Sequence, residues 1–296
     1  MKGATMKARK VVAVILVLVL ALAMPMTIAG CGTNSSKETP KDPGKDPVTP
    51  NKNPLKVGVK SDVIGFGFKD PASGKYTGME IELAEMIAKE LGYNGVEYTA
   101  VTAATRTELL DSGDLDCVLA TFTITEERKK SWDFSTPYYT DAVTVLVEKS
   151  SNIKNLNDLV GKKIGVSTGS TSAFALVNAM AAKGLFPGYT PPASSKDFDI
   201  SSFNQAGTTF QQFSDYPAVS NALTAGTVNA FCVDKSILAY YKTDSRVFIE
   251  EKFSPQNYGV ATKKGSDLSK KIDDLIVKWL ADGTIDKLIV KYNIGG

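Results

Sequence analysis

An α/β fold built from two similar lobes is the architecture this sequence predicts, and three observations carry the prediction. Short apolar runs of strand length alternate with amphipathic stretches of helix length, the pattern of a mostly parallel sheet covered by helices. The alternation begins again after Lys162, as though a first lobe were followed by a second. The stretch from residue 55 to 296 is also long enough to bury two modest cores.

The first thirty residues lie outside that fold. Lys2, Lys7, Arg9 and Lys10 precede an unbroken apolar run from Val11 to Ala23. A bilayer-spanning helix needs about 20 apolar residues, more than this run has. A basic start, a short apolar core and small residues before a cut site describe a secretory signal over residues 1–30. Ile28-Ala29-Gly30-Cys31 resembles a lipobox, so Cys31 is the expected site of acylation and the lipid bilayer an expected partner. Residues 31–54 hold Pro, Lys, Asp and Asn and almost nothing apolar, the composition of a solvated tether.

The whole chain carries 34 basic and 32 acidic residues, but four of the basic ones fall in the signal and no acidic one does. The remainder is slightly acidic, and nothing points to nucleic acid. No histidine is present, which excludes histidine metal ligands, Ser-His-Asp triads and imidazole acid–base chemistry. No metal, cofactor or catalytic residue is expected. Cys117 and Cys232 sit in apolar runs that read as buried strands. They are expected to be inert core thiols, although a disulfide is conceivable outside the cytoplasm.

Leu55–Val59 reads as the first strand. A turn-rich stretch at 70–74 leads into a helix from Met79 to Leu91, with Leu83, Ala84, Ile87 and Leu91 at helical spacing and Gly92 as its stop. Val96–Val101 alternates as a strand, Arg106–Leu110 is helical, and Asp116–Ala120 is a buried strand. The second pass runs through a strand at Lys163–Ser167, a helix from Thr171 to Lys183 and a strand at Thr209–Phe213. A helix near Pro217, capped by Asp215 or Tyr216, a strand at Val228–Val233 and a helix from Lys235 complete it. Ser266–Ala281 and Thr284–Tyr292 are amphipathic helices. Residues 185–208, rich in Pro, Ser and Asp without periodicity, read as a long surface loop.

Open α/β sheets bind ligands beyond the carboxyl ends of their strands. Lys60 ends the first strand, Thr121 and Thr123 follow the strand at 116–120, and Asp234 follows the strand at 228–233. Ser170 and Thr171 lie between a strand and a helix N-terminus. Two lobes facing each other would bring these residues to one cleft.

The stretches Ala120-Thr121-Phe122-Thr123-Ile124-Thr125-Glu126-Glu127-Arg128 and Trp132-Asp133-Phe134-Ser135-Thr136-Pro137-Tyr138-Tyr139 resemble the signature of the polar amino-acid family of extracellular solute-binding proteins. The likeness continues through Thr77-Gly78-Met79-Glu80-Ile81-Glu82-Leu83-Ala84, Gly161-Lys162-Lys163-Ile164-Gly165-Val166 and Val233-Asp234-Lys235-Ser236, in order across 55–296. It implies a periplasmic-binding-protein-like fold of type II, two lobes joined by two hinge strands near Tyr138–Ala142 and Ser254–Tyr258. Lobe 1 would then comprise residues 55–140 and 256–296, and lobe 2 residues 141–255. The implied function is capture of an amino acid by hinge closure and delivery to the membrane permease of an ABC importer, by a monomer.

The resemblance also implies residue roles. Arg128 matches the arginine that grips the ligand α-carboxylate, where a guanidinium fork does what lysine cannot; the bland alternative is an exposed helical arginine. Asp234 matches the carboxylate that pairs with the α-ammonium, or else it only caps a helix. Thr121, Thr123 and Thr171 match positions that hydrogen-bond the ligand's charged ends, and Ser170 either joins them or caps its helix. Lys60 and Arg106 match positions facing the ligand side chain, and the runs Thr102–Arg106 and Phe213–Pro217 look most like the aspartate/glutamate-binding members. Glutamate or aspartate is therefore the expected ligand and glutamine or asparagine the alternative; the bland reading makes both cations solvated surface charges. Tyr216, Tyr138 and Phe66 are candidate aromatic walls or ordinary core. A cyclohexadienyl-dehydratase-like enzyme and a sensor or adhesin are the alternatives from other functional classes.

Overall fold

The computed structural model describes residues 53–294. The signal, Cys31 and nearly all of the tether fall outside the described residues.

The first sheet begins with β1 (Leu55–Val59), which leads into a small hairpin sheet of β2 (Asp62–Val63), β3 (Gly67–Lys69) and β4 (Tyr76–Thr77). Then come α1 (Met79–Glu90), β5 (Val96–Ala100), α2 (Arg106–Ser112), β6 (Cys117–Leu119), the short α3 (Glu126–Lys129) and β7 (Trp132–Phe134). The long strand β8 (Tyr139–Glu148) carries the chain into the second sheet. That sheet is completed by β9 (Lys163–Ser167), α4 (Ser172–Ala182), β10 (Thr209–Phe213), α5 (Tyr216–Thr224), β11 (Ala230–Asp234), α6 (Lys235–Tyr241) and β12 (Arg246–Phe248). Strand β13 (Phe253–Tyr258) returns to the first sheet through β14 (Ala261–Lys263), and α7 (Asp267–Ala281) and α8 (Thr284–Lys291) follow.

Both sheets are mixed where a mostly parallel arrangement was expected. The first has the order β5-β1-β6-β14-β7 and the second β10-β9-β11-β8-β12. In each, the three strands joined through helices are parallel, while β14 and β8 run antiparallel to their neighbours. The reason is connectivity. A parallel neighbour needs a crossover, usually a helix, whereas β14 follows directly from a strand that joins the sheets and β8 is itself such a strand. Those connections are β8 and β13, which pair antiparallel with Tyr139 opposite Tyr258 and Gln256 opposite Asp141. The hinge stretches expected from the sequence therefore lie side by side.

The continuous apolar runs of the central strands follow from burial on both faces. Cys117 and Leu119 of β6 face one core and Val118 the other; on β11, Phe231 and Val233 face one way and Ala230 and Cys232 the other. One of these cores is continuous from α1, α7 and α8 through Tyr138 and Tyr258 to α5 and α6. Both cysteines are buried, unpaired thiols, and burial raises their pKa well above the ordinary value.

Residues 185–208 are irregular, but they are more than a surface loop. Phe186 and Phe203 are buried, and Phe203 packs within 6 Å of Phe186, Tyr189, Phe198 and Phe210. The aromatics are spread too unevenly in sequence to show a period, so composition alone concealed this small core. Phe203→Ala should cost about 3–5 kcal/mol of unfolding free energy in a denaturant titration. A loss below about 1 kcal/mol would show that the segment is only loosely held.

Candidate functional site

The polar residues singled out above converge where the two sheets face each other. Lys60 follows β1, the segment 120–123 follows β6, and Asp234 ends β11. Thr171 precedes α4 and Tyr216 opens α5, whose N-cap is Asp215, accepting from the Ala218 amide at 2.8 Å. Strand ends and helix starts thus supply most of the site, as open α/β sheets require.

Three cations stand in this region. Lys60 is buried, pairs with Asp62 at 3.0 Å, and lies 4.8 Å from the centre of the Tyr216 ring. Burial lowers its pKa, and Asp62 opposes that shift. Arg106 is buried with its guanidinium 3.9 Å from the Phe122 ring centre, donating through Nη1 to the Ala120 carbonyl at 2.9 Å. Its Nε has no hydrogen-bond partner among the described residues. Arg128 keeps some solvent contact; its guanidinium donates to the Thr123 carbonyl at 2.7 Å and, across the cleft, to the Gly169 carbonyl at 3.2 Å. Desolvation and the neighbouring charge of Arg106 depress its pKa to about 9, and it remains cationic at neutral pH.

Three carboxylates face these cations. Asp234 is buried, accepts a hydrogen bond from the Tyr258 hydroxyl, and has its pKa pushed up to about 7, mainly by burial and then by Asp141. Glu80 is fully buried and accepts from the Thr121 amide at 2.6 Å and the Tyr138 hydroxyl at 2.5 Å. Burial raises its pKa to about 7, against the pull of those hydrogen bonds and of Lys60 and Arg106. Asp62 accepts from the Tyr216 amide at 3.3 Å, and its carbonyl accepts from the Tyr241 hydroxyl at 3.2 Å.

The threonines divide in role. Thr123 and Thr171, one beside each sheet, both donate at 2.8 Å to Oε1 of Gln256 on the connecting strand β13. A crevice of about 1040 Å³ lies beside them, lined also by Phe174, Pro191 and Pro192. Thr121 has a left-handed backbone, φ 43°, unusual for a β-branched residue. Its hydroxyl and that of Ser170 are buried and lack hydrogen-bond partners among the described residues. Ser170 therefore does not cap α4, and Thr171 makes no capping bond either, which leaves the amides of that helix start available.

The two faces touch closely. Gly169, φ 76°, lies so near the other side that a Cβ there would sit 2.7 Å from the Ala103 carbonyl oxygen. All nine site residues expected from the sequence share this region, but Lys60 and Arg106 are already engaged with Asp62 and with peptide oxygens. Sequence reasoning missed Glu80, Asp62, Gln256 and Tyr258. For Glu80 a signal existed: it stands three, four and seven residues before Leu83, Ala84 and Ile87, in the apolar stripe of α1.

The family model for bacterial extracellular solute-binding proteins, family 3, matches residues 55–295. This chain belongs to that family. Among its members, the ABC transporter glutamine-binding protein GlnH of Bacillus subtilis is 32% identical over 274 residues, covering 90% of this chain and 91% of the relative. The L-cystine-binding protein TcyJ of Escherichia coli is 32% identical, with 80% and 82% covered. Of solved structures, an ancestral arginine-binding protein bound to arginine superposes with a TM-score of 0.66 at 35% identity, covering 81% of this chain and 98% of that one. In this chain, two α/β lobes are joined by a pair of strands.

Proposed function

We propose that this chain captures a polar amino acid of the glutamate and glutamine class between its lobes and presents it to the membrane permease of an ABC importer. The observation that supports this best is the relation of Arg128 to Asp234. They carry opposite charges, stand on different lobes and interact electrostatically. A zwitterion is costly to bury unless both ends are paired. Arg128 offers a fork to the α-carboxylate and Asp234 an acceptor to the α-ammonium. The uncapped start of α4, with Ser170 and Thr171, adds amide donors on the carboxylate side.

Relatives named for glutamine and cystine, and a structure holding arginine, indicate that one zwitterion frame serves several side chains. Selection then falls to Lys60, Asp62, Glu80, Arg106 and Tyr216. Because Lys60 is paired with Asp62, this region offers acceptors as well as donors, which suits a side-chain amide as well as a carboxylate. The protein acts by binding rather than catalysis, as a monomer, since one chain supplies both walls of the cleft. Acylation at Cys31 and the tether through residue 54 would hold it at the outer face of the membrane.

A thermal-shift screen against the twenty amino acids tests this reading. A ligand at a thousand times its Kd stabilises the folded form by about 4 kcal/mol. Glutamate, glutamine, aspartate or asparagine is expected to give the largest shift. A response to none of the twenty would overturn the reading.

A further inference from the structure

We propose that Glu80 decides which side-chain charge the cleft accepts, taking up a proton from solvent when an acidic ligand binds. This inference rests on the amino-acid-binding reading and goes further by making ligand choice depend on pH.

Glu80 Oε1 receives two hydrogen bonds, from the Thr121 amide and the Tyr138 hydroxyl, while Oε2 is buried with no hydrogen-bond partner among the described residues. An oxygen holding two donors is a poor place for a proton. Oε2 is the natural one, and once protonated it can donate to a ligand oxygen. Glu80 and Arg106 also grip one strained segment from opposite sides: Glu80 takes the Thr121 amide, and Arg106 the Ala120 carbonyl. The carboxyl is thereby fixed in place within electrostatic reach of Lys60 and Arg106, the cations assigned to the ligand side chain.

The groups acting on Glu80 are Lys60 after β1, Arg106 of α2 and Tyr138 ahead of β8, and Glu80 in turn acts on Tyr216 of α5. Asp62 lies beyond Lys60, and Asp234 and Arg128 beyond Arg106. Without Glu80, the cations Lys60, Arg106 and Arg128 outnumber the carboxylates Asp62 and Asp234 by one. An ionised Glu80 makes the site neutral, matching a ligand with an amide side chain. A protonated Glu80 leaves one positive charge, matching a ligand that brings an extra carboxylate. A buried site strongly disfavours an uncompensated charge. Desolvation places the Glu80 titration near neutral pH, so the exchange is accessible under ordinary conditions.

The test is calorimetric titration of the full chain with glutamate and with glutamine between pH 5.5 and 8.5, in buffers of different ionisation heat. The readout is the ratio of the two affinities. Asp234 also titrates near pH 7, but it faces the α-ammonium common to both ligands, so the ratio cancels its contribution. The preference for glutamate over glutamine should fall about tenfold per pH unit above roughly pH 7.5, with close to one proton taken up per glutamate bound. Glu80→Gln keeps an acceptor oxygen for Thr121 and Tyr138 but cannot titrate; its ratio should be flat and the glutamate-specific uptake absent. A ratio independent of pH in the unaltered protein overturns the Glu80 proposal while leaving amino-acid binding intact. So does a Glu80→Gln protein that keeps the slope. If neither amino acid binds at any pH, the proposal and the reading beneath it fall together.

Discussion

Arg128→Ala will weaken binding of any α-amino-acid ligand by between about thirtyfold and several thousandfold. Truncating one partner of a desolvated charge pair costs about 2–5 kcal/mol, and each 1.4 kcal/mol is a factor of ten. The loss should be similar for every ligand that binds, because the α-carboxylate is common to all of them. Arg128→Lys should recover little, since a point charge cannot reproduce the fork that also reaches the Thr123 and Gly169 carbonyls. Isothermal calorimetry gives the affinities, and thermal melting of the ligand-free variant separates binding from folding. Unchanged affinity with an intact fold would remove Arg128 from the site.

Gly169→Ala is expected to act on closure rather than on ligand contact. A Cβ at this position would meet the Ala103 carbonyl oxygen at 2.7 Å, the Ala103 carbonyl carbon at 2.9 Å and the Ala104 Cα at 2.9 Å. All three are backbone atoms, so no side chain can swing aside. The positive φ of 76° adds strain whichever way the lobes stand. The variant should fold with a loss of about 1–2 kcal/mol, the scale of a left-handed backbone at a residue that carries a Cβ. It should bind at least about a hundredfold more weakly, because a ligand that cannot be enclosed loses the contacts of one lobe. Small-angle scattering with saturating ligand reads the shape directly. A variant as compact as the unaltered protein, with the same affinity, would place the lobe contact elsewhere.

Much of the fold was legible because its strands and helices carry strong local signals. β1, β9 and β10 appear at the expected residues, and α1 and α7 within a residue of their expected ends. The antiparallel members were harder to see. β7 and β14 have three residues each and β2 and β4 two, too short for alternation to register. The full length of β8 was hidden as well, because a strand that joins the two lobes belongs partly to each and its pattern changes along the way: half-exposed at Tyr139–Ala142, then buried from Val143.

The site divides along the same line. Residues at strand ends and helix starts, such as Lys60, Thr171 and Asp234, could be placed from topology alone. Glu80, Asp62 and Gln256 act through partners 41, 154 and 133 residues away in sequence, a pairing that only the folded chain displays. Glu80 was further disguised by its place in the first turn of α1, where an acidic residue reads as a partner for the helix dipole.

The position of β14 has a consequence for how the molecule is made. This strand sits between β6 and β7, yet it comes from residues 261–263, after the whole second sheet. Synthesis from the N-terminus therefore finishes every strand of lobe 2 while the slot between β6 and β7 in lobe 1 still awaits its strand. Lobe 1 holds Arg128, Arg106 and Glu80, so the half that carries these three residues is the last to be completed. On the proposed reading, a chain that has not yet reached β14 lacks a finished lobe 1 to close against Asp234.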